Sequence, residues 1–158
     1  MNKFCVFLIG LALFSCEYFN VKKTSPEAIL QEELKTFNWE EVDTYPSFKV
    51  CDASLPKQAQ KQCFERVLRE HIMANLQKEI IVVTQDINDT LSLEFKVSEH
   101  GEVTLQDIEM DSITLSEIPN IKALLYKSLD SLPKVFPAIK RNQNVKTEFK
   151  LPIIIHVN

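Results

Sequence analysis

Three histidines, a run of alternating acids and one Asn-Asp-Thr triplet are the residues whose types first invite chemistry. Histidine is the commonest metal ligand and the usual general base near neutral pH. His71 falls on or beside the apolar stripe of a helical segment, His100 in a turn, and His156 near the end of a strand. None has a second histidine or a cysteine at ligand spacing, so packed or solvated side chains are expected rather than a metal site. Asp107, Glu109 and Asp111 recur every second residue. That period would line carboxylates along one strand face, where a solvated surface is the simpler role. Asn88-Asp89-Thr90 matches the N-glycosylation pattern. The motifs HExxH, GxSxG, the P-loop and GxGxxG are missing. Only two glycines occur, Gly10 and Gly101, so a glycine cradle for phosphate cannot be built. The formal net charge is -4. Lys134, Lys140, Arg141 and Lys146 come nearest to a basic cluster, which falls short of a nucleic-acid surface. The expectation is a non-enzymatic domain with no cofactor and no bound metal.

The N-terminus assigns a compartment. Lys3 is followed by an uncharged stretch from Phe4 to Phe14 and then by Ser15-Cys16. A run of about 11 residues is too short to span a bilayer, which takes roughly 20, and reads as an export signal. Leu13-Phe14-Ser15-Cys16 resembles the lipobox cut by bacterial lipoprotein signal peptidase. The resemblance implies a signal over 1–15, a diacylated Cys16, and a lipid-anchored protein of the bacterial envelope that faces the periplasm. Glycosylation at Asn88 is then not expected. Of the four cysteines, Cys5 leaves with the signal and Cys16 carries lipid. Cys51 and Cys63 remain, and in an oxidising compartment they make a structural disulfide. Their spacing is not the C-x-x-C of redox catalysis.

The elements that position these residues follow from periodicity. Thr24-Ser25-Pro26-Glu27 carries a capping-box signature, and Ile29, Leu30, Leu34 and Phe37 mark a helix to about Phe37. The segment 38–57 is irregular, interrupted by Pro46 and Pro56. A helix is predicted from Lys57 to Leu76 on the stripe Phe64, Val67, Leu68, Ile72 and Leu76. Ile80 to Val83 is a short apolar run, and 86–89 is turn-like. Leu91, Leu93, Phe95 and Val97 alternate with polar residues, Gly101 supplies a turn, and Val103 and Leu105 resume the alternation: a β-hairpin with one buried face. The segment 112–115 is ambiguous. Pro119 opens a helix carrying Ile121, Leu124, Leu125, Ser128 and Leu129, which Pro133 and Pro137 end. The last stretch, Val145 to Val157, is the longest alternation in the chain. Pro152 within it demands an edge or a bend, because proline donates no ladder hydrogen bond.

From Tyr45 onward the chain resembles the C-terminal domain of the TonB family, in its Bacteroidetes-type form. The likeness is carried by Tyr45-Pro46-Ser47-Phe48 with Cys51 and Lys61-Gln62-Cys63-Phe64, and by Leu93 to Val97 followed by Glu99-His100-Gly101-Glu102-Val103. Ser131-Leu132-Pro133 with Phe136-Pro137-Ala138, and Asn144 through Ile153, complete it. The resemblance implies an α+β fold in which a three-stranded antiparallel sheet is backed by helices. It divides the chain into a signal (1–15), an anchor, linker and accessory helix (16–44), and the domain (45–158). In that family the domain binds an extended peptide of outer-membrane receptors as an added β-strand. Here Val145, Lys146, Thr147, Glu148, Phe149 and Lys150 are the expected binding edge. A lipid in place of the family's transmembrane helix leaves no attachment to an inner-membrane motor, so an accessory of outer-membrane transport is the reading. The alternative is a structural envelope lipoprotein that makes protein contacts without a receptor peptide. Partners are then the membrane, a receptor peptide or another envelope protein, or a second copy of the chain as a homodimer.

Overall fold

Helix α1, Lys57–Leu76, forms where the sequence carries no glycine or proline for 20 residues and an apolar residue recurs every three or four positions. Phe64, Leu68, Ile72 and Leu76 are its buried stripe. The computed structural model describes residues 37, 38 and 42–157. These lie in one unit, Leu34–Asn158.

The sheet is built on two long strands, β3 (Ile87–Val97) and β8 (Thr147–Val157), paired antiparallel over their full length. β4 (Val103–Glu109) joins β3 as a hairpin, and the two-residue β1 (Phe37–Asn38) lies parallel to the start of β8. The order is β1-β8-β3-β4. The predicted three antiparallel strands are present, and β1 is an addition. Two small ribbons flank the sheet: β2 (Ser47–Phe48) with β5 (Val135–Phe136), and β6 (Ala138–Lys140) with β7 (Gln143–Val145). Helices α2 (Ser112–Glu117) and α3 (Ile121–Leu129) complete the described residues. None of the three helices is long and apolar enough to cross a membrane.

One sheet face is covered. Leu91, Leu93, Phe95 and Val97 of β3 and Phe149, Leu151, Ile153 and Ile155 of β8 are buried with the α1 stripe and with Ile121 and Leu125 of α3. The rings run as a chain: Phe48 stacks on Phe64 at 5.1 Å, Phe64 meets Phe149 edge-on at 5.6 Å, and Phe149 stacks on Phe95 at 5.5 Å. The Cys51–Cys63 disulfide ties the irregular lead-in to the first turns of α1. Tyr45 adds a second tie, lying under Lys57 and Lys61.

Several expectations are corrected. Phe37 belongs to a strand, while the rest of the predicted helix 24–37 lies outside the described residues, as do the signal and Cys16. Just before Tyr45, Val42 is buried, and Asp43 and Thr44 both donate their amides to the Ile139 carbonyl. The turn-like 86–89 is mostly strand. Asp89 is buried because its carboxylate accepts the Asp111 amide at 2.9 Å and the Thr114 hydroxyl at 2.6 Å, fastening α2 to the sheet. The final alternation is two strands, β7 and β8, separated at Lys146.

The acids of β4 face solvent through a bulge. Leu105 opposes Phe95 but Asp107 opposes Glu94, so Gln106 is the extra residue. The shift turns Ile108 into the core and leaves Asp107 and Glu109 exposed. Strict alternation from Val103 would have buried both acids.

Gly101 adopts φ +85°, and a methyl group there would sit 2.1 Å from the Val135 carbonyl oxygen. Gly101→Ala is expected to lower stability by about 2 to 4 kcal/mol, read from urea unfolding. Replacing Cys51 and Cys63 together by Ala should cost about 2 to 3 kcal/mol in the same assay, since the bridge closes a loop of 12 residues.

Candidate functional site

β8 runs beside β3 on one side, so a further strand could add only on its other side. The side chains of the expected binding residues alternate as predicted. Val145, Thr147 and Phe149 are buried, Lys146 and Glu148 are half-buried, and Lys150 is exposed. Lys150 lies on the open face of the sheet between Glu94 (3.7 Å) and Glu109 (3.2 Å). The bond to Glu109, and then its charge, raise the Lys150 pKa. Lys146 stands 3.7 Å from Glu99 at the hairpin turn.

Backbone pairing departs from the expected open ladder. Val145 pairs with Ala138 in the β6–β7 ribbon, and Thr147 and Glu148 pair with Phe37 and Asn38. Among the described residues no strand covers β8 from Lys150 to its end. Pro152 faces Ser92 across the ladder and has no N–H to give. Its carbonyl accepts Arg69 Nε from α1 at 3.2 Å. The groups of Pro152 therefore face away from β3, as do those of Lys150, Ile154 and His156, which share its parity. Proline and arginine thus interrupt the outer ladder at its middle. At its start the Thr147 hydroxyl is wholly buried without a hydrogen-bond partner. Such a group costs about 1 to 3 kcal/mol.

The histidines do not converge. His71 Nε2 lies 3.0 Å from the Ser128 carbonyl, 3.2 Å from the Asn75 side-chain nitrogen and 3.3 Å from Ser131 Oγ, so it is a packed helix histidine in a local polar cluster. His100 is exposed beside Glu99, and His156 is exposed on β8. Among the described residues no group of three or more His, Cys, Asp or Glu side chains could hold a metal ion. A groove of about 330 Å³ opens near His71 between the ends of α1 and α3. Of its two lysines, Lys127 is held by Glu79 at 2.8 Å and Lys78 reaches the Asn75 side chain at 3.3 Å.

A second feature is the segment between α1 and β3, which the sequence marks only as a short apolar run. Ile80 and Val82 are 95% and 81% exposed, whereas Ile81 and Val83 pack on the core. Glu79 anchors one end through Lys127. At the other end the Glu117 carboxylate accepts the Thr84 amide at 2.7 Å, the Thr84 hydroxyl and the Gln85 side chain. These bonds, the Thr84 amide foremost, hold Glu117 below its usual carboxylate range.

Compared with known proteins, the chain matches no family model, no curated protein and no solved structure. The TonB likeness therefore rests on the residues quoted for it.

A depressed carboxylate contributes stability that is complete above the unfolded-state glutamate pKa and is lost as pH falls through the folded value. The Thr84 amide, followed by NMR, should keep its shifted resonance at neutral pH and move toward a free-amide position in acid. Glu117→Gln should abolish that acid-dependent movement. A Thr84 titration unchanged by this substitution would disprove the clamp.

Proposed function

We propose that the chain is a non-enzymatic, lipid-anchored protein of the bacterial envelope whose domain binds an extended polypeptide by strand addition at β8. One observation carries the reading. β8 is a strand of 11 residues whose outer side is matched, among the described residues, by only the two residues of β1. An incoming strand that replaces β1 gains the backbone groups of Glu148 and Lys150, and the outward side chains of those residues supply selectivity. The buried, unpartnered Thr147 hydroxyl marks the same place as one that the chain's own packing leaves unsatisfied. The TonB resemblance suggests the partner: the periplasmic segment of an outer-membrane receptor, with the protein an accessory of transport rather than a motor-linked transducer.

The alternative is a structural envelope lipoprotein without receptor-peptide binding. It is favoured by the β1 pairing itself, which fills part of the edge, and by the Arg69 bond to Pro152, which fills more.

Titrating the protein with periplasmic N-terminal peptides of TonB-dependent receptors separates the two. Strand addition predicts saturable NMR shifts at the Glu148 and Lys150 amides, with loss of the β1 pairing at Phe37 and Asn38. No response to a representative peptide set would leave the scaffold reading in place.

A further inference from the structure

We propose that Arg69 selects the strand that adds at β8, by taking a carboxylate side chain at the partner's position opposite Leu151. This inference rests on strand addition at β8 and names the chemistry of the polypeptide added there.

The arginine stands where such a strand would end. α1 lies over the covered face of the sheet, with Phe64, Leu68 and Ile72 turned into the core. It runs alongside β8 in the same sense: Phe64 meets Phe149, and further along Arg69 Nε donates to the Pro152 carbonyl at 3.2 Å. That bond leaves both Nη groups, which make no hydrogen bond or ion pair among the described residues. The chain's nearby acids do not take them. Glu70 holds Arg66 at 3.5 Å instead, and Glu65, one turn back, makes no ion pair. Arg69 is only half-buried, so a carboxylate can approach without being fully stripped of water. Its planar fork suits a carboxylate better than any neutral acceptor.

Register names the position. Paired residues of neighbouring strands put their side chains on the same face. A strand laid along β8 in either direction therefore turns its residues opposite Phe149 and Leu151 toward α1. Those opposite Glu148 and Lys150 turn to the open face. The new ladder can use the Lys150 groups but stops at the Pro152 carbonyl, which Arg69 already holds. The residue opposite Leu151 is thus the last one on the α1 side before the guanidinium. An acid there gains a charge-assisted bond, whereas a lysine meets like charge, which is discrimination by repulsion as well as attraction. The contact that shortens the edge also gives it a preference.

The test pans a library of displayed peptides, random over about nine residues and flanked by constant sequence on both sides, on the full chain in detergent. Wild type, Arg69→Gln and Arg69→Glu are treated alike, and their β3–β8 amide patterns check folding. Binders that shift the Glu148 and Lys150 amides are those added at β8. Among these, wild type should enrich Asp or Glu at one position, and changing that acid to its amide in a synthetic binder should weaken binding about tenfold. Arg69→Gln should lose the enrichment and keep the preferences elsewhere, and Arg69→Glu should enrich Lys or Arg at the same position. The acid-to-amide exchange needs only the wild-type protein, so it decides the matter even where a variant fails to fold. Binders that shift both amides without any acid preference overturn the role of Arg69 and leave strand addition standing. An acid preference that persists in Arg69→Gln overturns it too. A library with no binder that shifts those amides overturns strand addition and this inference together.

Discussion

The contact between Phe149 and Phe64 joins the two halves of the domain, and the remaining structure is arranged around it. Phe149 is fixed by the β3–β8 ladder, where it stands opposite Phe95. Phe64 is fixed by α1 and by its neighbour Cys63, which is bridged to Cys51. The ring chain continues to Phe48 in the small β2–β5 ribbon. A single apolar line thus passes through the sheet, the long helix and the lead-in. Losing a ring at its centre removes aromatic contacts on both sides and opens a cavity, with costs of about 3 to 5 kcal/mol typical for Phe→Ala. The disulfide and the Lys–Tyr contacts secure the end of that line furthest from the sheet.

Because that line occupies one face of the sheet, a partner that meets the sheet itself must use the other face or an edge. The open face of the sheet is a polar lattice in which Lys150 is shared by Glu94 and Glu109. It offers little apolar area, apart from the 66% exposed Ile154. β4 ends the sheet on the far side with Asp107 and Glu109 beyond its bulge, and charges and bulges on an edge discourage further strands. β8 is defended differently, by a two-residue strand, a proline and an arginine. Among the described residues, the 80–83 segment makes no backbone hydrogen bond, and Ile80 and Val82 are exposed.

Much of this was legible in the residues. The bounds of α1 follow from proline before it and a regular stripe within it, and the β3–β4 turn follows from Gly101. The disulfide follows from cysteine counting, and the phase of β8 from its alternation. What escaped was set by tertiary contact. Asp89 has turn composition, yet it is buried because Thr114 and the Asp111 amide, more than 20 residues away, satisfy its oxygens. The Gln106 bulge leaves no mark in composition, although acids at positions 107 and 109 in an otherwise alternating strand hinted at a phase change. β1 is two residues long and has no periodicity to read. The β6–β7 turn places Arg141 and Asn142 at positive φ, and of the two only asparagine signals such a turn. For the candidate site, the alternation predicted which side chains of 145–150 face out, but not which backbone groups were already taken.

The position of β8 also orders events in time. It is made after every other strand of its sheet, yet it lies between β1 and β3 and contributes much of the buried face. While β8 is still being synthesised, β3 and β4 can form a hairpin and α1 can turn, but Phe64 has no Phe149 to meet. The sheet can therefore close only once β8 has been made, in a step that joins residues far apart in sequence.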